Sequence, residues 1–123
     1  MSDTTNIMLV EDDHHIALAL KIRMKAGGFC IGHAVNVSDA LSIVAEELPD
    51  ICVIDINLPD GNGIDLVHSL MHNNTDRQPV CIVMTASCKP GLKEKALQAG
   101  AVAFLEKPFA SRELMSIIEA QAS

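Results

Sequence analysis

Four short, unbroken apolar runs, each cut off by a polar residue, set the tightest limit on what this chain folds into. Ile7-Met8-Leu9-Val10 ends in Glu11-Asp12-Asp13, and Ile51-Cys52-Val53-Ile54 ends in Asp55. Val80-Cys81-Ile82-Val83-Met84 ends in Thr85, and Ala101-Val102-Ala103-Phe104-Leu105 ends in Glu106-Lys107-Pro108. Cys30–Val37 is a weaker fifth candidate. Continuous runs of this length, rich in β-branched residues, suit parallel strands buried on both faces. Helical periodicity fills the gaps, over residues 14–26, 39–47, 64–72, 91–99 and 110–121. Ser38 is expected to cap the second helix and Gly100 to stop the fourth. In the first helix, Ile16, Ala19, Leu20 and Met24 are expected to face the sheet, leaving Ala17, Leu18 and Ile22 opposite. The alternation predicts an α/β domain, a five-stranded parallel sheet with five helices on both faces. A length of 123 residues supports one such domain.

With 49% hydrophobic residues the chain is too apolar for disorder. Its apolar runs stay far short of the ~20 residues a membrane span needs. Met1-Ser2-Asp3-Thr4-Thr5-Asn6 carries neither a basic segment nor an apolar core, so a cytoplasmic protein without a membrane role is expected. A net charge of −7, from 9 Lys+Arg against 16 Asp+Glu, argues against direct nucleic-acid binding, which rewards clustered cations. Cys30, Cys52 and Cys81 sit in apolar segments and read as buried, reduced thiols, and Cys88 falls in a loop. The sequons Asn36-Val37-Ser38 and Asn73-Asn74-Thr75 read as chance matches.

The functional signal lies in the polar residues at the strand ends. Open α/β sheets bind ligands outside the carboxyl ends of their strands. The pattern delivers Glu11 and Asp12, Asp55, Thr85 and Lys107 to that edge from four separate strands. A lone carboxylate at a strand's end commonly just solubilises a loop or, as expected for Asp13, favours a helix's first turn. Three together repel one another unless a cation joins them. Mg²⁺ suits such hard oxygen donors, with Mn²⁺ the alternative ion. A divalent ion, a lysine and a hydroxyl are the equipment of phosphoryl transfer, and Asp55 is the candidate nucleophile.

On these residues the chain resembles the response-regulator receiver family, the CheY-like phospho-acceptors of two-component signalling. The resemblance spans about residues 5–121. It rests on Met8-Leu9-Val10-Glu11-Asp12-Asp13, on Val53 through Gly63, on Val83-Met84-Thr85-Ala86, and on Gly100-Ala101 through Phe104-Leu105-Glu106-Lys107-Pro108-Phe109. It implies a doubly wound, flavodoxin-like sheet of order 2-1-3-4-5. It implies that Asp55 is phosphorylated by a histidine kinase or histidine phosphotransfer protein. Glu11, Asp12, Asp55 and the backbone carbonyl of Asn57 would hold Mg²⁺. Thr85, Ala86 and Lys107 would contact the phosphoryl group, with a cis Lys107-Pro108 bond aiming the lysine. Thr85 and Phe104 would form the switch that reshapes the surface of helix four, strand five and helix five. Such a receiver is not an enzyme in the ordinary sense, although it promotes its own phosphorylation and slow dephosphorylation.

Two departures from the family pattern stand out. Phe104 lacks the hydroxyl of the tyrosine that many relatives carry. Val102-Ala103 replaces acidic residues whose salt bridges serve one dimerising subgroup. No output domain is expected within residues 1–123, so the chain acts alone or is the front of a longer transcriptional regulator. Leu18 and Ile22, with His14 and His15 at the rim, form a candidate docking face for the phosphodonor. A transition-metal site at His14 and His15 is disfavoured, since adjacent helical residues do not face one ion. A phosphohydrolase passing through an aspartyl phosphate would usually carry a second carboxylate where Asn57 stands. A flavin carrier would need a phosphate-cradling loop after the first strand, and an adaptor independent of phosphorylation would not need the acids and Lys107.

Overall fold

The computed structural model describes residues 4–73, 76–87 and 89–122. Cys88, and Asn74-Thr75 of the second sequon, lie outside them. In chain order the elements are β1 (Asn6–Val10), α1 (His14–Ala26), β2 (Cys30–Ala34), α2 (Val37–Glu46), β3 (Ile51–Asp55), α3 (Gly63–Met71), β4 (Val80–Thr85), α4 (Leu92–Ala99), β5 (Ala103–Glu106) and α5 (Ser111–Ala122). The five strands form one parallel sheet of order β2-β1-β3-β4-β5. A small antiparallel ribbon, Asn57–Leu58 against Gly61–Asn62, follows β3 and has no counterpart in the sequence-based expectation. No helix among the described residues is long and apolar enough to cross a membrane.

The strand pleat splits the apolar runs into two cores. Met8, Val10, Cys52, Ile54, Cys81 and Val83 face one way, into a cluster completed by Ala40 of α2, Leu66, Val67 and Leu70 of α3, and Ala96 and Ala99 of α4. Ile7, Leu9, Ile51, Val53, Ile82, Met84 and Leu105 face the other, against Ala17, Leu20 and Met24 of α1 and Leu114, Met115 and Ile118 of α5. Every residue of β3 is buried, as its position at the centre of the sheet demands. Each large side chain so enclosed contributes roughly 1.5–3 kcal/mol relative to exposure.

Several local expectations need correcting. In α1 it is Ala17 that is buried and Ala19 that is exposed, with Ile16 half-buried. At about 100° per residue, Ala17 stands about 60° from Leu20 around the helix, whereas Ala19 stands about 100° away. Asn36, not Ser38, caps α2, its Oδ1 accepting the Asp39 N–H at 2.7 Å. Asn competes well with Ser at this position, and its oxygen reaches the third helical N–H. The fifth strand starts at Ala103 rather than Ala101. Gly100, at φ +120°, closes α4, and the Ala101 N–H donates back to the Ala96 carbonyl, which delays the strand. Cys30 is exposed because it opens an edge strand. Cys52 and Cys81 are buried opposite each other in β3 and β4. Their mutual hydrogen bond, together with burial, pushes the Cys52 thiol well up.

Candidate functional site

The carboxyl ends of β1, β3, β4 and β5 meet at one edge of the sheet. Glu11 follows β1 directly and is wholly buried, its N–H extending the ladder to the Ala34 carbonyl at 3.0 Å. Asp12 is the next residue and is exposed. Asp13 then caps α1, its Oδ1 accepting the N–H groups of His15 (2.9 Å) and Ile16 (3.1 Å). Those two donors, Ile16 foremost, hold the Asp13 carboxyl below its ordinary range. Asp55 ends β3 and is 6% exposed. Ligand oxygens of Glu11, Asp12 and Asp55 lie within 4.8 Å of one another.

Lys107 draws this group together. Its Nζ donates to Glu11 Oε1 at 2.5 Å and to Asp55 Oδ2 at 3.0 Å. Its own N–H donates to the Thr85 carbonyl at 2.7 Å, so β4 anchors the loop that delivers the ammonium. Thr85 is buried, and its Oγ1 accepts the Ser87 N–H at 3.0 Å. The Lys107–Pro108 peptide is cis. Burial opposes the Lys107 charge, yet the hydrogen bonds to Glu11 and Asp55 outweigh it and raise the ammonium above the usual lysine range. Burial, followed by the neighbouring Asp55 carboxyl group, pushes Glu11 up to about 7 against the pull of Lys107. Among the described residues, Glu11 Oε2 is the buried side-chain oxygen left with no hydrogen-bond partner. A buried carboxylate oxygen without a donor is costly. Hard oxygen donors with one such orphan fit a divalent cation.

Three further residues set this geometry and carry no site assignment from the sequence. A Cβ at Gly63 would overlap the Asp55 carbonyl oxygen, so only glycine lets α3 begin this close to Asp55. Asp60 accepts from the N–H groups of Val37 (2.7 Å) and Ser38 (3.0 Å), tying the loop after β3 to the start of α2. His33 Nε2 lies 2.8 Å from the Glu11 carbonyl. Gly63 and Asp60 sit inside the motif that carries the resemblance, whereas His33 has no local signal.

The other predicted residues scatter around this core. The Asn57 N–H donates to Asp55 Oδ1 at 3.3 Å. Phe104 is half-buried against the α2–α3–α4 core. Ala86 is exposed and shares an apolar cleft of about 480 Å³ with Ile16, Ala19, Leu20, Pro108 and Phe109. Leu18 and Ile22 are exposed on α1, 55% and 62%. His14 leans edge-on against His33, ring centroids 6.4 Å apart, and His15 is exposed.

The model of the response regulator receiver domain family matches residues 7–119. The chain belongs to that family. As a receiver it is 33% identical over 114 residues to the transcriptional regulatory protein PrrA of Mycobacterium tuberculosis, covering 93% of this chain and 48% of PrrA. It is 34% identical over 112 residues to KdpE, the KDP operon transcriptional regulatory protein of Escherichia coli, covering 91% of this chain and 48% of KdpE. The receiver thus spans about half the length of these curated relatives. Among solved structures, the HemR receiver domain of Leptospira biflexa superposes with a TM-score of 0.87 at 29% identity, covering 98% of this chain and 95% of that one. The signal receiver domain of a LuxO repressor protein from Vibrio parahaemolyticus gives 0.89 at 28%, covering 97% and 90%.

Proposed function

We propose that this receiver is a Mg²⁺-dependent switch that takes a phosphoryl group onto Asp55 from a phosphohistidine of a histidine kinase or phosphotransfer protein. The observation that carries the reading is the meeting of Glu11, Asp12 and Asp55 around a shared site, with the Lys107 ammonium 3.0 Å from Asp55. In the transfer, an Asp55 carboxylate oxygen attacks phosphorus. The P–N bond to the donor imidazole breaks, its electron pair leaving with the ring nitrogen, as the P–O bond to Asp55 forms. Glu11, Asp12, Asp55 and the Asn57 carbonyl would hold the ion, which when bound offsets negative charge on the phosphoryl oxygens. Lys107 supplies a second positive charge, and Thr85 and the Ala86 N–H supply donors. Dephosphorylation is slow, because Asn57 stands where a hydrolase of this chemistry would place a carboxylate.

The readout runs through the buried Thr85 and half-buried Phe104, the two residues of the switch, to the surface of α4, β5 and α5. Leu18 and Ile22, flanked by His14 and His15, supply the docking face for the phosphodonor. The proposed setting is cytoplasmic. Intact-mass measurement after incubation with acetyl phosphate and Mg²⁺ tests the central claim. A phosphate adduct is expected on the parent chain and not on Asp55→Asn, and an adduct on both would overturn it.

A further inference from the structure

His33 sits on β2, the edge strand, away from the carboxyl ends of β3, β4 and β5. It is half-buried, and its Nε2 lies 2.8 Å from the Glu11 carbonyl oxygen. A carbonyl can only accept, so Nε2 carries the proton and donates. The Glu11 backbone is therefore tied to β2 on both sides of its Cα. Its N–H, in the peptide from Val10, donates to the Ala34 carbonyl, and its C=O accepts from His33. The peptide that carries this C=O joins the buried Glu11 to Asp12, and Asp13 then caps the start of α1. The ring of His14 lies edge-on to that of His33, with the centroids 6.4 Å apart. The His33 contact thus fixes the Glu11 carbonyl at the point where the chain turns out of β1.

We infer that His33 is a positioning residue for the acidic pair: by clamping the Glu11 carbonyl it pre-sets the turn that presents Glu11 and Asp12 to a divalent cation. The inference rests on the Mg²⁺-dependent function proposed for Asp55 and adds to it a residue outside the family's motifs. Partners that orient metal ligands without touching the metal commonly affect affinity by roughly 10–100-fold. His33 acts on a ligand's backbone rather than its side chain, so the lower end of that range applies.

The test is Mg²⁺ binding to the full chain, measured by isothermal calorimetry and by amide NMR shifts. The variants are His33→Ala, which removes the donor, and His33→Gln, which keeps an N–H at similar reach. His33→Ala is expected to weaken Mg²⁺ binding about tenfold, while His33→Gln binds within about threefold of the parent. With acetyl phosphate as donor, His33→Ala should need more Mg²⁺ for half-maximal phosphorylation but reach the parent's rate at saturation. Thermal unfolding without Mg²⁺ checks that both variants fold. Equal Mg²⁺ affinity in His33→Ala and the parent, or a loss in His33→Gln as large as in His33→Ala, would overturn the inference and leave the assignment of Asp55 intact. A parent chain that binds no Mg²⁺ would overturn the inference and the Mg²⁺-dependent function together.

Discussion

Glu11 is buried because it follows the last residue of a central strand, and a carboxylate there is tolerable only with compensating charge. Lys107 supplies that charge to one oxygen, at 2.5 Å, and leaves the other bare. Asp55, next door, is held from behind by its own backbone. Gly63 lets α3 start against the Asp55 carbonyl, and the Gly63 N–H donates to the Ile56 carbonyl at 2.8 Å. A methyl group at Gly63 would have to displace either the helix start or the strand end, since the obstacle is backbone rather than a flexible side chain. Gly63→Ala is therefore expected to destabilise the receiver by about 2–3 kcal/mol, the upper range for overpacking. It should also slow acetyl-phosphate labelling of Asp55. Urea unfolding and intact mass would read the two effects, and parent-like values for both would show that the loop can give way.

The elements show which parts of the architecture can be read locally and which cannot. Strand identities, and the polar residues that end them, are legible because an unbroken apolar run and its first polar neighbour are adjacent in sequence. Ala17 and Ala19 are hard to tell apart because both lie near the edge of the apolar stripe and alanine carries little signal. The cap of α2 is ambiguous for a related reason, since Asn36 and Ser38 are both good N-caps and only the path of the chain decides between them. Asp60 belongs to a motif legible in the sequence, but its role depends on the start of α2, 23 residues away. Its carboxylate satisfies two N–H groups of α2, Val37 first, and these hold it below the ordinary carboxylate range. Asp60→Ala is expected to lower the melting temperature and to loosen the loop that carries Asn57, seen as faster amide exchange at Val37 and Ser38. Unchanged exchange there would show that the helix start does not depend on this cap. On α1, Leu18 and Ile22 point their apolar side chains into solvent. Leu18→Glu should leave unfolding and acetyl-phosphate labelling unchanged and slow transfer from the kinase about tenfold or more, the range of an interface hot spot. An unchanged kinase rate would remove this face from the docking site.

At the scale of the whole molecule, the acidic edge makes folding stability depend on pH and on metal together. Glu11 is raised to about 7 in the folded chain from an ordinary value of 4.5. The folded state thus holds a proton that the unfolded state releases between those values, and metal-free stability must fall as pH climbs from about 4.5 to 7. Asp13 and Asp60 are lowered and act in the opposite sense, their contribution disappearing as pH drops through their folded values. The two tendencies place the metal-free optimum on the acid side of neutrality. A cation that binds only the folded, deprotonated site offsets the first of them. At a hundredfold excess over its dissociation constant it contributes about 2.7 kcal/mol, which for a domain of this size is about ten degrees of melting temperature. Melting curves from about pH 4.5 to 8 should therefore slope downward without Mg²⁺ and flatten with it. Glu11→Gln should abolish the slope, because no proton remains to be released. A metal-free profile that rises toward neutrality, or a slope that survives Glu11→Gln, would show that the proton resides elsewhere, and the charge balance assigned to Glu11 and Lys107 would have to be redrawn.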